Sequence, residues 1–225
     1  MAYAFLCDFD GTASPTDIGA EFVRTFATGN GVEHHALLER WLGGTIGHRE
    51  LTEGECARVR VTRSEALHFA RGHALDPHFA PFVRAARDAG HGVMVVSEGF
   101  DFYIEALLER EGLGDLPRAA NRLRFQGDRV TPEFPDLPDG CAGCGTCKAH
   151  HVAQWRERGF VTVLVGDGMS DRCGARAADL VFARGDLLAW CAREHIEAIE
   201  FVSFEDVAAL AQRLPGGASW ARPAG

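Results

Sequence analysis

Several things are missing from this 225-residue sequence. No apolar run approaches the ~20 residues that cross a bilayer as a helix, which argues against a membrane-spanning protein. No Gly-x4-Gly-Lys-[Ser/Thr] loop is present, so kinase-type nucleotide use through a P-loop is not expected. Basic charge is short: 23 Lys+Arg stand against 32 Asp+Glu, a net charge of −9. That balance disfavours electrostatic binding to nucleic acid or to an anionic membrane surface. The seven cysteines are an odd number, and Cys7, Cys56, Cys173 and Cys191 are scattered. They do not form a disulfide framework and suit a reducing compartment. The apolar stretch before Asp8 is too short for a secretion signal and lacks a basic start, so a cytoplasmic protein is expected. With 46% hydrophobic and 24% charged residues, the chain reads as globular. Its length fits one large domain or one domain carrying an insertion.

The pattern along the chain is strand and helix in alternation. An apolar run over residues 3–7 stops abruptly at Asp8-Phe-Asp-Gly-Thr12, as a buried strand does when it emerges into a loop. Ser14-Pro-Thr-Asp17 has capping-box spacing with Pro at a first helical position, predicting a helix over residues 16–27. Helical patterning continues to about residue 72 with no convincing strand. Further on, helices are expected over 78–89, 101–111 and 148–158. Strands are expected over 92–97, 160–165, 180–183 and 198–202, with a hairpin over 122–131 around Gln126-Gly-Asp128. Such alternation implies a parallel sheet covered on both faces, whose ligands bind beyond the carboxyl ends of the strands. The tail from residue 215 is rich in Pro and Gly and is expected to fray.

The polar clusters fall at those strand ends. Asp8 and Asp10 are two residues apart and can address one site; two close carboxylates repel, which a bound cation relieves. Asp167, in Gly166-Asp-Gly-Met-Ser-Asp171, adds another oxygen ligand, and an all-oxygen set favours Mg²⁺. Ser97 offers a hydroxyl and neighbouring N–H groups at a helix start, an anion site. Lys148 opens another helix and brings positive charge to the same oxyanions. Singly, each has an ordinary structural role as cap, turn or solvated residue; order and placement set them apart.

In that order, Asp8-Phe-Asp-Gly-Thr12, Ser97, Lys148 and Gly166-Asp-Gly-Met-Ser-Asp171 resemble the four motifs of the haloacid-dehalogenase superfamily of phosphatases. The likeness spans nearly the whole catalytic domain. It implies an α/β, Rossmann-like parallel sheet built from residues 1–13 and 77–214, with a small helical cap over 14–76 inserted after the first strand. The insertion resembles the cap of the phosphoserine-phosphatase-like branch. Val96-Ser-Glu-Gly-Phe-Asp-Phe-Tyr-Ile104 and the Cys-rich run before Lys148 resemble two relatives there: the methionine-salvage 2-hydroxy-3-keto-5-methylthiopentenyl-1-phosphate phosphatases and the phosphoethanolamine/phosphocholine phosphatases. Glu98 stands where many phosphoserine phosphatases carry Gly, which argues against phosphoserine as substrate.

The resemblance implies roles. Asp8 would be the nucleophile, forming an aspartyl-phosphate. Asp10 would protonate the leaving oxygen and then activate water. Mg²⁺ would be held by Asp8, the Asp10 carbonyl and Asp167, with Asp171 supporting. Gly11, Ser97, Glu98 and Lys148 form the implied phosphate-binding set. The partner would be a small phosphorylated metabolite, and the protein a monomer or homodimer. Two alternatives share the sequence: a phosphotransferase or mutase using the same intermediate, and a non-catalytic binding protein built around the cysteine loop. In that loop, Cys141, Cys144 and Cys147 with His150 or His151 have the ligand types of a structural zinc site; alternatively, the thiols simply pack beside Lys148. Of the cap residues, Trp41, His48, Arg49, Glu50 and Glu53 either face the active site or form a solvated face, and Phe100, Phe102 and Ile104 are expected to pack a helix on the sheet.

Overall fold

The computed structural model describes residues 1–29, 31–141 and 143–214; the Pro- and Gly-rich tail lies outside them. Seven strands form one sheet in the order β4-β3-β2-β1-β5-β6-β7. These are β1 (Tyr3–Cys7), β2 (Gly92–Phe100), β3 (Arg118–Gln126), β4 (Arg129–Glu133), β5 (Val161–Gly166), β6 (Leu180–Ala183) and β7 (Ile199–Glu200). All neighbours run parallel except β3 and β4, the expected hairpin, which pair antiparallel.

The central strands are buried on both faces, which is why they read as continuous apolar runs. Their side chains alternate between two cores. Tyr3, Phe5 and Cys7 join Val93, Val95, Val163, Val165 and Phe182 on one face. Ala4 and Leu6 join Val96, Leu164, Val181 and Ala183 on the other. The first face is covered by α5 (Phe79–Asp88), α6 (Asp101–Arg110) and α10 (Phe204–Gln212), which contribute Phe82, Ile104, Leu107 and Phe204. The second is covered by α7 (Lys148–Glu157), α8 (Arg172–Ala177) and α9 (Gly185–Arg193), through Val152, Ala175, Leu187 and Trp190.

Between β1 and α5 the chain forms α1 (Ile18–Phe26), α2 (Val32–Leu42), α3 (His48–Cys56) and α4 (Arg63–Arg71). Among the described residues of this segment only two isolated bridges, Ala27–Val59 and Arg60–Arg129, have strand character. Phe22 of α1 meets Phe100 and Phe102, fixing the segment to the end of β2. Helix α2 buries no residue and stands out as the outer wall.

Helix α1 starts later than its sequence signal. Its N-cap is Asp17, whose side chain accepts from the Ala20 N–H at 2.8 Å, whereas Ser14 Oγ accepts from the Thr16 N–H. The reason is tertiary: the N–H groups of Ile18 and Gly19, unpaired at a helix start, donate to Asp10 Oδ1 at 2.9 and 3.2 Å. Strand β2 runs three residues past its predicted end. Its pairing with β3 shifts register between Val96 and Phe100, an irregularity that re-aims side chains at a strand end.

Candidate active site

Beyond the ends of β1, β2 and β5 lies a cleft of about 540 Å³, roofed by α1, α2 and α3. Asp8, Asp10, Ser97, Glu98 and Asp167 all line it. Asp8 follows β1 directly, and its N–H continues the ladder to Val165 O at 2.8 Å. The chain then makes a wide turn over Phe9–Ala13, closed by bonds from Ala13 N–H to Asp8 O and Ser14 N–H to Phe9 O. Gly11 sits in this turn with φ +71, a left-handed conformation in which a Cβ would collide with the Asp167 carboxylate. Its N–H donates to Thr16 O at 3.2 Å, and its carbonyl accepts from Arg184. What Gly11 supplies is close approach between the β1 and β5 loops.

Lys148 is fully buried at the start of α7 and is the hub of the site. Its Nζ donates to Asp8 Oδ1 at 2.6 Å and to Asp171 Oδ1. Asp171 Oδ2 accepts from the N–H groups of Asp167 and Gly168, so this carboxylate anchors Lys148 and shapes the β5 loop. Burial alone would lower the Lys148 pKa, but Asp171 and Asp8 outweigh it and hold the ammonium charged.

One buried ammonium faces three acidic groups. Oxygens of Asp8, Asp167 and Asp171 lie within 4.8 Å of one another. Burial raises the Asp8 pKa, Asp171 and Asp167 raise it further, and Lys148 opposes them. Burial and then Asp171 raise Asp167, while Thr12 Oγ1 donates to its Oδ1 at 2.9 Å. Three carboxylates against one lysine leave an excess of buried negative charge made of hard oxygen donors. That is the donor chemistry of a Mg²⁺ site, and the residues fit one.

Asp10 is positioned by α1 on one oxygen and by Tyr103 on the other, whose hydroxyl donates to Oδ2 at 2.5 Å. Burial is the main cause that pushes its pKa up to about 7, with Asp17 adding to it and the Tyr103 bond opposing. Tyr103 is itself held well above the ordinary phenol range by burial and by Asp10, so it remains a donor.

One placement expected from sequence is revised. Ser97 lies within β2, four residues before α6, and not at a helix N-terminus; its Oγ accepts from the Gly99 N–H at 2.9 Å. Glu98 lines the cleft, and its side chain and carbonyl are engaged by other groups. Its Oε2 pairs with His48 Nδ1 at 2.6 Å, its Oε1 accepts from the Gly145 N–H at 3.2 Å, and its carbonyl accepts from Asn121 Nδ2. Of the roof candidates, Trp41 and His48 reach the cleft, together with Leu38, Leu42, Leu51, Thr52 and Glu55. Arg49 lies over Phe134 and Glu50 pairs with Arg40, outside it. Phe100, Phe102 and Ile104 are core residues, as expected. Tyr103, Thr12, Arg184 and Asn121 were not anticipated. Tyr103 lies in the Val96–Ile104 run already singled out for its resemblance, but only the fold brings its hydroxyl to Asp10.

Comparisons with known proteins identify the family and the fold. The family model of haloacid dehalogenase-like hydrolases matches residues 5–176. A 2-hydroxy-3-keto-5-methylthiopentenyl-1-phosphate phosphatase of Brevibacillus brevis is 32% identical over 213 residues, covering 92% of this chain and 94% of its own. An enzyme of the same name from Lysinibacillus sphaericus is 28% identical, covering 95% and 96%. Among solved structures, a substrate-bound phosphoserine phosphatase superposes with a TM-score of 0.72 at 20% identity, covering 93% of this chain and 98% of its own. At that identity the likeness concerns the fold. No helix among the described residues is long and apolar enough to cross a membrane. The chain belongs to the haloacid dehalogenase-like hydrolase family and is one of its phosphatases.

Proposed function

We propose that the protein hydrolyses the primary phosphate ester of a short hydroxy-carbonyl chain with an apolar tail, of the 2-hydroxy-3-keto-5-methylthiopentenyl-1-phosphate type, through an aspartyl-phosphate on Asp8. The observation that carries this reading is the two-sided cleft. Its floor holds Asp8, Asp10 and Asp167, while its roof presents Leu38, Trp41, Leu42 and Leu51, an apolar wall suited to a thioether tail. The name shared by the B. brevis and L. sphaericus relatives supports the same substrate.

Lys148 occupies Asp8 Oδ1 and leaves Oδ2 to attack phosphorus. The lysine also offers positive charge where the phosphoryl oxygens gather during transfer. Ser97 lines the same floor and supplies a hydroxyl to those oxygens. Asp10, with a pKa near neutrality, holds a proton for the departing alcohol oxygen and, once ionised, takes one from the incoming water. Tyr103 and the first turn of α1 keep that carboxyl oriented through both half-reactions. Mg²⁺, held by Asp8, Asp167 and the Asp10 carbonyl with Asp171 in support, would withdraw charge from the phosphoryl group. Roof helices α2 and α3 exclude water and select the tail.

Phosphate release is measured with a panel containing the methylthiopentenyl ester, phosphoserine, phosphoethanolamine and phosphocholine, with Mg²⁺ and with chelator, beside Asp8→Asn. The expected result is Mg²⁺-dependent turnover, highest kcat/KM for the ester with the apolar tail, and loss of turnover in Asp8→Asn. A preference for phosphoethanolamine would transfer specificity to cleft carboxylates such as Asp17 and Glu55 and refute the apolar-tail reading.

A further inference from the structure

The cysteines divide into two populations. Cys7, Cys56 and Cys191 are buried and pack in or against the core, but Cys141, Cys144 and Cys173 are half-buried and Cys147 closes the same loop at α7. The sulfurs of Cys141, Cys144 and Cys147 lie within 4.8 Å of one another. A fourth thiol comes from a different part of the chain: Cys173, in the first turn of α8, places its Sγ 3.8 Å from Cys144 Sγ. A tetrahedron of thiolates around zinc, at a Zn–S distance near 2.3 Å, has sulfur–sulfur edges of about 3.8 Å. The 3.8 Å separation is also far beyond a disulfide bond. The histidines do not join the thiols: His150 Nε2 meets the Gln154 amide at 3.0 Å, and His151 stacks edge-on against His150.

We infer that Cys141, Cys144, Cys147 and Cys173 form a structural zinc site that clamps the loop ahead of Lys148 to helix α8. Cys173 lies outside the trio of mutually close sulfurs, so binding draws the loop toward α8 as the tetrahedron closes. The thiols give up their protons as the metal is bound. Four sulfur ligands with no open position make the site structural.

The placement gives the clamp consequences. Within the loop, the Gly143 carbonyl accepts from the His48 N–H of the roof at 2.6 Å, and the Gly145 N–H holds Glu98. Thr146 Oγ1 donates to Asn121 Oδ1 at 3.1 Å, and Lys148 follows Cys147 directly. On the other side, Cys173 stands two residues after Asp171, the second partner of Lys148. One bound ion would therefore fix both ends of the Lys148–Asp171 pair and the seat of the roof helix α3.

Wild-type protein is produced in zinc-supplemented medium, purified without chelator and analysed for metal by mass spectrometry, beside Cys144→Ser, Cys173→Ser, His150→Gln and His151→Gln. About one zinc per chain is expected in the wild type and in both histidine variants, with loss in both cysteine variants. A titration of the wild type with a mercurial reagent provides a measurement that does not depend on variants folding: one zinc should leave as four thiols react. Wild type free of zinc, Cys173→Ser retaining it, or a histidine variant losing it each overturns the assignment. All readouts are metal contents or thiol counts, and repeating them on Asp8→Asn separates this result from the fate of the phosphatase reading.

Discussion

His48 and Glu98 join the roof to the floor of the cleft, and their pairing can be tested by removing one charge. In His48→Gln the Glu98 carboxylate, 7% exposed as a residue, keeps only the Gly145 N–H and a neutral amide. Breaking a buried ion pair by deleting one partner costs roughly 3–5 kcal/mol. The His48 side chain is 20% exposed, which places the expected loss below that range, at about 2–3 kcal/mol. At about 2–4 °C per kcal/mol for a chain of this size, the melting temperature should fall by roughly 4–12 °C. The groups acting on the imidazole are Glu98 from β2, Glu55 from its own helix α3 and Lys148 from α7. Burial lowers its pKa and Lys148 adds to that, but Glu98 and Glu55 prevail and raise it above the ordinary histidine value. Because the folded value is the higher one, the pair's contribution is fully present below about pH 6.5 and disappears as pH rises through the folded pKa. Urea unfolding at pH 6 and pH 9 should therefore show a large cost of His48→Gln at pH 6 and a small one at pH 9. Glu98→Gln completes a double-mutant cycle, with an expected coupling of about 2 kcal/mol at pH 6. Coupling below about 0.5 kcal/mol, or a cost independent of pH, would refute the reasoning.

Other perturbations probe the floor. Tyr103→Phe removes a charged hydrogen bond worth about 1.5–3 kcal/mol, so the alkaline limb of the kcat/KM pH profile should move up by about 1–2 units relative to wild type. A profile that stays in place would detach Asp10 from that limb. Lys148→Met leaves Asp8 and Asp171 without their shared cation, and kcat should fall by at least about 10²-fold with a lower unfolding free energy. Gly11→Ala forces a left-handed backbone on alanine, costing about 1–2 kcal/mol, and drives a methyl group into Asp167. Titration of Mg²⁺-dependent turnover should show weakened metal affinity in that variant, and wild-type affinity would contradict the close approach described. Chelation should lower the thermal stability of the wild type, since a cation relieves the repulsion among Asp8, Asp167 and Asp171, whereas Asp167→Asn should be less sensitive to chelator.

Much of the molecule is written locally. The apolar run ending at Asp8, the Gly90 that follows α5 and the Gln126-Gly-Asp128 turn are all signals within a few residues, so the strands, the sheet and the order of the acidic motifs could be read along the chain. Asp8, Asp10, Asp167 and Lys148 could likewise be singled out, because these carboxylates and this lysine stand at strand and helix ends in the order of the motifs they resemble. Local signals failed where a distant group decided the outcome. Ser14 and Pro15 suggested one helix start, yet Asp10 captured the N–H groups of Ile18 and Gly19 and set another. Nothing near Glu98 in the sequence announced His48, fifty residues earlier, which folding places against it. Tyr103 reached Asp10 across 93 positions, and Cys173 reached Cys144 across 29. Periodicity and turn chemistry act between neighbours, so the sequence alone determined the elements and the order of the charged groups at their ends. Which oxygen meets which donor, which residues roof the cleft and which thiols gather depends on where packing brings remote segments together, and that was decided only by the tertiary structure.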